Sequence, residues 1–321
     1  MPRGGVIETT FSSNRIAQIM LENDFSLDAL RNFAVLDHED WIDLDDVVLE
    51  SYHDRLLAVQ NLIDRGLTHD AGDFGETISQ YSKISEMTTA RRSMYASADQ
   101  ELTRVTYSQV QVPIPVTFQD FSLDVRTLRA GRRRGQALDT VQAEEAARVV
   151  GESIESMLFD GDLTVMADIP IYGLRNHPNR NIVSGSTWGT ASNIIPNVQS
   201  AVALLRADNR PGSYMMYLHA DQYGEVTAVN TATDRTYRQI LLEAIPDLED
   251  IVWASKCTAG EAVLHSMDRG TVDMAITEQF LPIEWEGMGG LRFNMRAMAM
   301  MSPRVKADAQ NRSGVCIITG I

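Results

Sequence analysis

Residues 110–118 read Val110-Gln111-Val112-Pro113-Ile114-Pro115-Val116-Thr117-Phe118, with an apolar side chain at every second position. A period of two is the mark of a strand with one face covered. Pro113 and Pro115 have no N–H to give to a ladder, so this strand lies at an edge or leaves its N–H side free. Upstream, Ile78, Tyr81, Ile84 and Met87 sit among Ser, Thr and Gln and read as a partner strand. The polar segment Thr88–Glu101 joins the two. A two-stranded ribbon is marginal in water by itself, so this one needs another surface to lie on.

Downstream, residues 136–160 carry the clearest helical pattern. Leu138, Val141, Ala146, Val149, Ile154, Met157 and Leu158 recur with the 3.6-residue period. Asp139 with Gln142 has the spacing of a capping box, and Asp160-Gly161-Asp162 is the stop. The small residues Ala143, Ala146, Ala147 and Gly151 predict close packing on one face. A second helix is predicted over 43–65, ended by Gly66, with its acids near the start, where the helix dipole favours them. That acidic stretch lacks the central Gly and closing Glu of a calcium loop.

Residues 163–280 read as mixed α/β. Helices are predicted near 193–207, 220–229 and 235–244, and strands near 213–218, 250–255, 262–267 and 271–277. Strands return at 281–286, 291–301 and 313–319. The chain has 321 residues, beyond the size at which one hydrophobic core stops growing, so two lobes are expected. No apolar run reaches the ~18–20 residues of a membrane helix, and the opening Met1-Pro2-Arg3-Gly4-Gly5 has no apolar region of an export signal.

Net charge is −16. Residues 1–54 hold 12 acids against three arginines, and the remaining 267 residues hold 32 acids against 25 bases. A surface built to grip phosphate backbones shows the opposite balance. Only Lys83, Lys256 and Lys306 are lysine among 28 basic residues. The basic run Arg126, Arg129, Arg132, Arg133 and Arg134 suits pairing with acids of a neighbouring chain, or a solvated loop. Two cysteines, Cys257 and Cys316, make no disulfide framework and read as small core residues.

Marks of catalysis are missing. There is no P-loop, no His-Glu-x-x-His and no Gly-x-Ser-x-Gly elbow. The six histidines have no metal-ligand spacing. His177 reads as an ordered loop histidine, and His219 with Asp221 as the cap of the following helix. Gly287-Met288-Gly289-Gly290 reads as a turn.

Taken in order, Val112–Val116 with Asp120-Phe121-Ser122-Leu123, then Leu138–Arg148 running to Leu158–Asp162, then Tyr172-Gly173-Leu174 and Asn176-His177-Pro178-Asn179, resemble the major capsid proteins of tailed phages and the related encapsulin shells. The resemblance covers residues 74–321. It implies an α+β fold of the Hong Kong 97-like capsid type. Residues 1–73 would be an N-terminal arm and 74–118 an extended E-loop hairpin. Residues 119–162 with 281–321 would form a P-domain with its spine helix, and 163–280 an A-domain. The implied function is structural: self-assembly through hexamers and pentamers into an icosahedral head enclosing double-stranded DNA without sequence-specific binding. It carries no catalysis, cofactor, metal or membrane. The expected location is the virion, assembled in host cytoplasm, with a scaffolding protein, a portal and a decoration protein as partners. The alternatives are an encapsulin-type compartment loading a cargo enzyme, and an α/β enzyme with an unmarked site. Inter-subunit contacts are expected from Lys83, Arg91, Arg92, Arg104, Arg132, Arg133 and Arg134. Some relatives cross-link through a lysine in the E-loop; Lys83 is the only lysine there, and no acceptor Asn or catalytic Glu matches by motif.

Overall fold

The computed structural model describes residues 52, 56–87, 90, 92, 94, 104–124, 141–166, 168–210, 212–230, 233–287 and 292–321. Two sheets organise them. The first has four strands in the order β1 (Thr68–Asp70), β11 (Val272–Gly287), β12 (Arg292–Val305), β4 (Val116–Asp124). β11, β12 and β4 run antiparallel, and β1 pairs parallel with β11. β11 has 16 residues, on the order of 50 Å of extended chain.

Helix α2 (Val141–Asp160) lies across this sheet. Its small residues Ala143, Ala146, Ala147 and Gly151 are buried, as their spacing predicted, which lets its backbone approach β12 and β4. Residues 136–140, including Asp139 of the predicted capping box, lie outside the described residues. On the sheet side Met295, Ala297, Ala299 and Met301 of β12 complete the core with Ile154, Leu158 and Phe159 of α2. Helix α1 (Leu57–Asp64) packs into the same core through Leu56, Ala58, Val59 and Leu62. Of the helix expected over 43–65, residues 43–51 and 53–55 lie outside the described residues; Leu56 has ψ 64°, so α1 begins at Leu57, and Gly66 follows it at φ 68°.

The second sheet has the order β5 (Asn181–Ser184), β13 (Val315–Thr319), β10 (Glu261–Ser266), β6 (Tyr214–Leu218), β9 (Leu248–Trp253). Every residue of β6 is buried, because both faces are covered. Met215 and Tyr217 face the α2 core. Tyr214, Met216 and Leu218 face a second core with α3 (Ile194–Ala207), α4 (Ala220–Thr227) and α5 (Tyr237–Ala244). A short antiparallel pair, β7 (Val229–Asn230) and β8 (Arg235–Thr236), precedes α5.

Three strand expectations differ from the structure. The run 110–118 is two strands: β3 (Tyr107–Pro113) pairs with β2 (Ile78–Ile84), and the chain switches sheets at Ile114–Pro115 before β4 begins. The stretches 271–277 and 281–286 are one strand, β11, with register shifts between Ile276, Glu278 and Leu281; bulges there disturb the sequence alternation. The 280/281 boundary therefore falls inside a strand. Residues 315–319, grouped in the sequence with the returning strands of the first sheet, pair with β5 and β10 in the second.

Candidate functional site: an outstretched hairpin and its root

The site is a surface. β2 and β3 form a two-stranded antiparallel hairpin in register from Ile78↔Pro113 to Ile84↔Tyr107, and among the described residues neither strand joins a larger sheet. Burial falls along it. At the root, Ser79, Val112 and Ile114 are buried, and Ile114 packs with Ala275, Met298 and Met300 of the first sheet. Toward the tip, Ile84, Met87, Met94 and Tyr107 are exposed, Tyr107 by 70% and Met94 by 94%. The ribbon is therefore buried against its own chain at the root, and its exposed apolar side chains lie toward the other end.

A buried charge cluster holds the root. Asp273 of β11 and Arg304 of β12 are cross-strand partners, 1% and 3% exposed. The guanidinium donates to both carboxylate oxygens, from Nε at 2.8 Å and from Nη2 at 2.6 Å. Its third nitrogen, Nη1, donates at 2.8 Å to Oγ of Ser79 on β2. Lys306 Nζ donates to the same carboxylate at 2.7 Å and to the Arg269 carbonyl at 2.8 Å, and stands 5.8 Å from the centre of the Tyr81 ring. Burial pushes the Tyr81 hydroxyl up to about 12, and holds His69 below its ordinary value with help from Arg304. One carboxylate thus serves two cations, and the ribbon contributes a hydroxyl that accepts from the guanidinium's third nitrogen. Nearer the tip, Arg312 reaches Glu86 at 2.5 Å.

The motifs that carried the family resemblance meet at the end of α2. Gly161 has φ 66°, and a Cβ there would lie 2.2 Å from the Ile171 carbonyl oxygen. Gly173 would meet Gly161 N at 2.4 Å. The segment Tyr172-Gly173-Leu174 thus lies flat on the helix end: Leu174 N donates to the Leu158 carbonyl and Arg175 N to that of Phe159, each at 2.8 Å. These bonds occupy carbonyls that a helix C-terminus otherwise leaves open. His177 is buried beside them, its ring edge-on to Tyr172 at 5.8 Å, and accepts from Asn179 N at 3.2 Å. Burial, then Lys83 and Arg180, lower it to about 4, so it stays neutral. It is an ordered loop histidine, as its sequence context suggested. His219 caps α4, accepting from Asp221 N at 3.3 Å.

Of the residues expected to contact neighbours, Lys83 is half-buried on β2, and its charge helps lower His177 of its own chain. Arg104 and Arg92 are exposed. Arg91, Arg132, Arg133 and Arg134 lie outside the described residues. Cys257 and Cys316 are buried free thiols, pushed up to about 12 chiefly by burial. Among the described residues there is no cluster of His, Cys, Asp and Glu able to hold a metal, and no helix long and apolar enough to cross a membrane.

Two further surfaces are open. Between the free edge of β4 and α2 lies a groove of about 610 Å³, with Val116, Phe118, Val149, Met157 and Val165 among its lining. On the face of the first sheet away from α2, Arg296 lies over Phe118 at 4.3 Å and Trp285 at 5.4 Å, and grips Asp120 at 2.6 and 2.8 Å.

A long bent sheet with a crossing helix, an α/β lobe and an outstretched hairpin define the capsid fold, and with it the class of shell-forming proteins. The fold is similar to that of a virus-like particle from Pyrococcus furiosus, with a TM-score of 0.61 at 11% identity over 88% of this chain and 98% of that one. It is equally similar to the capsid of Myoviridae phage XM1, at TM-score 0.61 and 14% identity over 79% and 89% of the two chains. The capsid of a native GTA particle matches at TM-score 0.59 and 12% identity over 80% and 89%. The model of the family described as encapsulating protein for peroxidase matches residues 30–289, and the chain belongs to that family.

Proposed function

We propose that this chain is the structural subunit of a closed icosahedral shell, the major capsid protein of a tailed-phage or prophage head enclosing double-stranded DNA, and that it carries out no catalysis. The observation that carries the reading is the β2–β3 hairpin, clamped at its root and exposing Ile84, Met87 and Tyr107 away from it. Such a tip gains stability when a second copy covers it. Chains that each lend an arm and accept one build closed symmetric assemblies. The groove beside β4, where Val149 and Met157 stand among Glu152, Ser153, Ser156, Asp162 and Lys256, offers a mixed polar and apolar landing place. Exposed ion pairs contribute only about 0–1 kcal/mol each, so cohesion comes from apolar burial repeated over many contacts. On this reading Lys83, Arg91, Arg92, Arg104 and Arg132–Arg134 meet acids of neighbours. Residues 1–73 act as an arm, and the two sheets as wall (P-domain) and axial (A-domain) lobes. A scaffolding protein, a portal and a decoration protein complete the head, assembled in the host cytoplasm.

A second reading, a compartment that encloses a protein cargo, is favoured by the family match over residues 30–289. The two differ in contents. Particles purified from the natural source and treated with nuclease are tested for protected DNA and for a co-purifying protein. Protected DNA supports the head; a stoichiometric enclosed protein without DNA supports the compartment. A monomer or small oligomer in light scattering contradicts both.

A further inference from the structure

The spine helix carries a buried acid that the shell reading does not use. Glu155 is 1% exposed in the core between α1 and α2. Its two oxygens accept from the backbone of another helix: Oε1 from Ala58 N at 2.8 Å and Oε2 from Val59 N at 3.2 Å. These are the second and third amides of α1, the pair that a capping side chain normally takes. The residue at the capping position, Leu56, has no oxygen to offer and makes no side-chain cap. Glu155 supplies the missing cap from 97 residues away.

The groups facing Glu155 offer little to balance its charge. From the segment after β9 come Lys256, whose Nζ is already engaged by Glu152 at 3.1 Å, and the thiol of Cys257. From β6 comes the Tyr217 hydroxyl. Burial holds both the thiol and the phenol well above neutral pH, so both are uncharged. Lys256 is therefore the single opposing charge among them.

We propose that Glu155 is a proton-operated latch on the N-terminal segment: the neutral acid keeps α1 docked against the spine helix, and ionisation favours its release. While α1 is docked, burial raises the Glu155 carboxyl to about 7, against the two amides and Lys256, which act to lower it. Once α1 leaves and water enters, the carboxyl returns toward its ordinary value of 4.5. The released state therefore binds the proton more weakly, and release is promoted as pH rises from 4.5 to 7 and levels off above. Across that whole window the opening equilibrium changes by roughly two orders of magnitude. What precedes the latch is the most acidic part of the chain, residues 1–54 with 12 acids and three arginines.

The test is hydrogen exchange of residues 57–64 in the full-length protein from pH 5.5 to 8.5, corrected for intrinsic rates. Protection should fall roughly fifteenfold between pH 5.5 and 7, then by about a further factor of two as it levels off toward pH 8.5. In Glu155→Gln the step should vanish. Lys256→Gln, which removes the opposing cation, should move the step to higher pH, and it serves as the second arm where Glu155→Gln does not fold. Protection in the wild type that ignores pH, an equal slope in Glu155→Gln, or a step left unmoved by Lys256→Gln overturns the latch. The readout is local to one helix and does not depend on whether shells form.

Discussion

Arg304 and Asp273 sit opposite each other in the register of β12 and β11, joined by two hydrogen bonds of 2.8 and 2.6 Å, and the guanidinium's remaining nitrogen holds Ser79 of the hairpin. The direction in which the arm leaves the body is set by this pair. An ionic pair at such depth is costly compared with packed apolar side chains, and its recurrent use is to fix one geometry among several.

Asp273→Ala should lower stability by roughly 3–5 kcal/mol, because it strands Arg304 and leaves Lys306 one partner short. Ser79→Ala removes one hydrogen bond to a charged group and should cost about 1–3 kcal/mol. Urea unfolding of both variants checks the order. Assemblies of Ser79→Ala should also vary more in diameter under the electron microscope, since the hairpin root then loses its side-chain hydrogen bond to the buried charge cluster.

Gly161→Ala and Gly173→Ala should each be severely destabilising. At Gly161 the left-handed backbone costs an ordinary residue roughly 1–2 kcal/mol, and at both positions the added Cβ would overlap backbone atoms at 2.2–2.4 Å. A thermal melt should show a loss of roughly 2 kcal/mol or more for each, against a near-neutral Gly75→Ala, where no atom lies within 4 Å.

Acid should weaken the fold through its buried histidines. His177 and His265 are both lowered to about 4, mainly by burial, while an unfolded histidine binds its proton near 6.5. Their contribution is complete above pH 6.5 and is lost as pH falls from 6.5 to 4, by up to about 3 kcal/mol for each residue. Glu155 acts in the opposite sense over 4.5–7. Urea midpoints measured at pH 7 and pH 5 should drop less in His265→Phe than in the wild type.

Much of this architecture is legible in the sequence because it depends on local period. The fully apolar run Tyr214–Leu218 is a doubly covered strand, and the alanine face of 143–151 is the packed face of α2. What could not be read depends on contacts between distant residues. The strict alternation of 110–118 conceals a change of sheet at Ile114–Pro115, since period alone does not identify a strand's partner. β11 looks like two strands because bulges shift its inward face. Val315–Thr319 carries no signal of which sheet it joins. The cap from Glu155 to Ala58, and the clamp from Arg304 to Ser79 across 225 positions, leave no local pattern at all.

The double variant Ile84→Ser/Tyr107→Ser changes two exposed tip residues and should leave monomer stability within about 0.5 kcal/mol for each change. It should nonetheless reduce the yield of particles in sedimentation severalfold, because the apolar surface offered to a neighbour is gone.

The most direct measurement is an electron cryomicroscopy map of the assembled full-length protein, traced through residues 78–113. The map should show a closed shell in which the tip around Ile84 and Tyr107 lies on a different copy. A discrete monomer whose tip is folded down on its own sheets would contradict it.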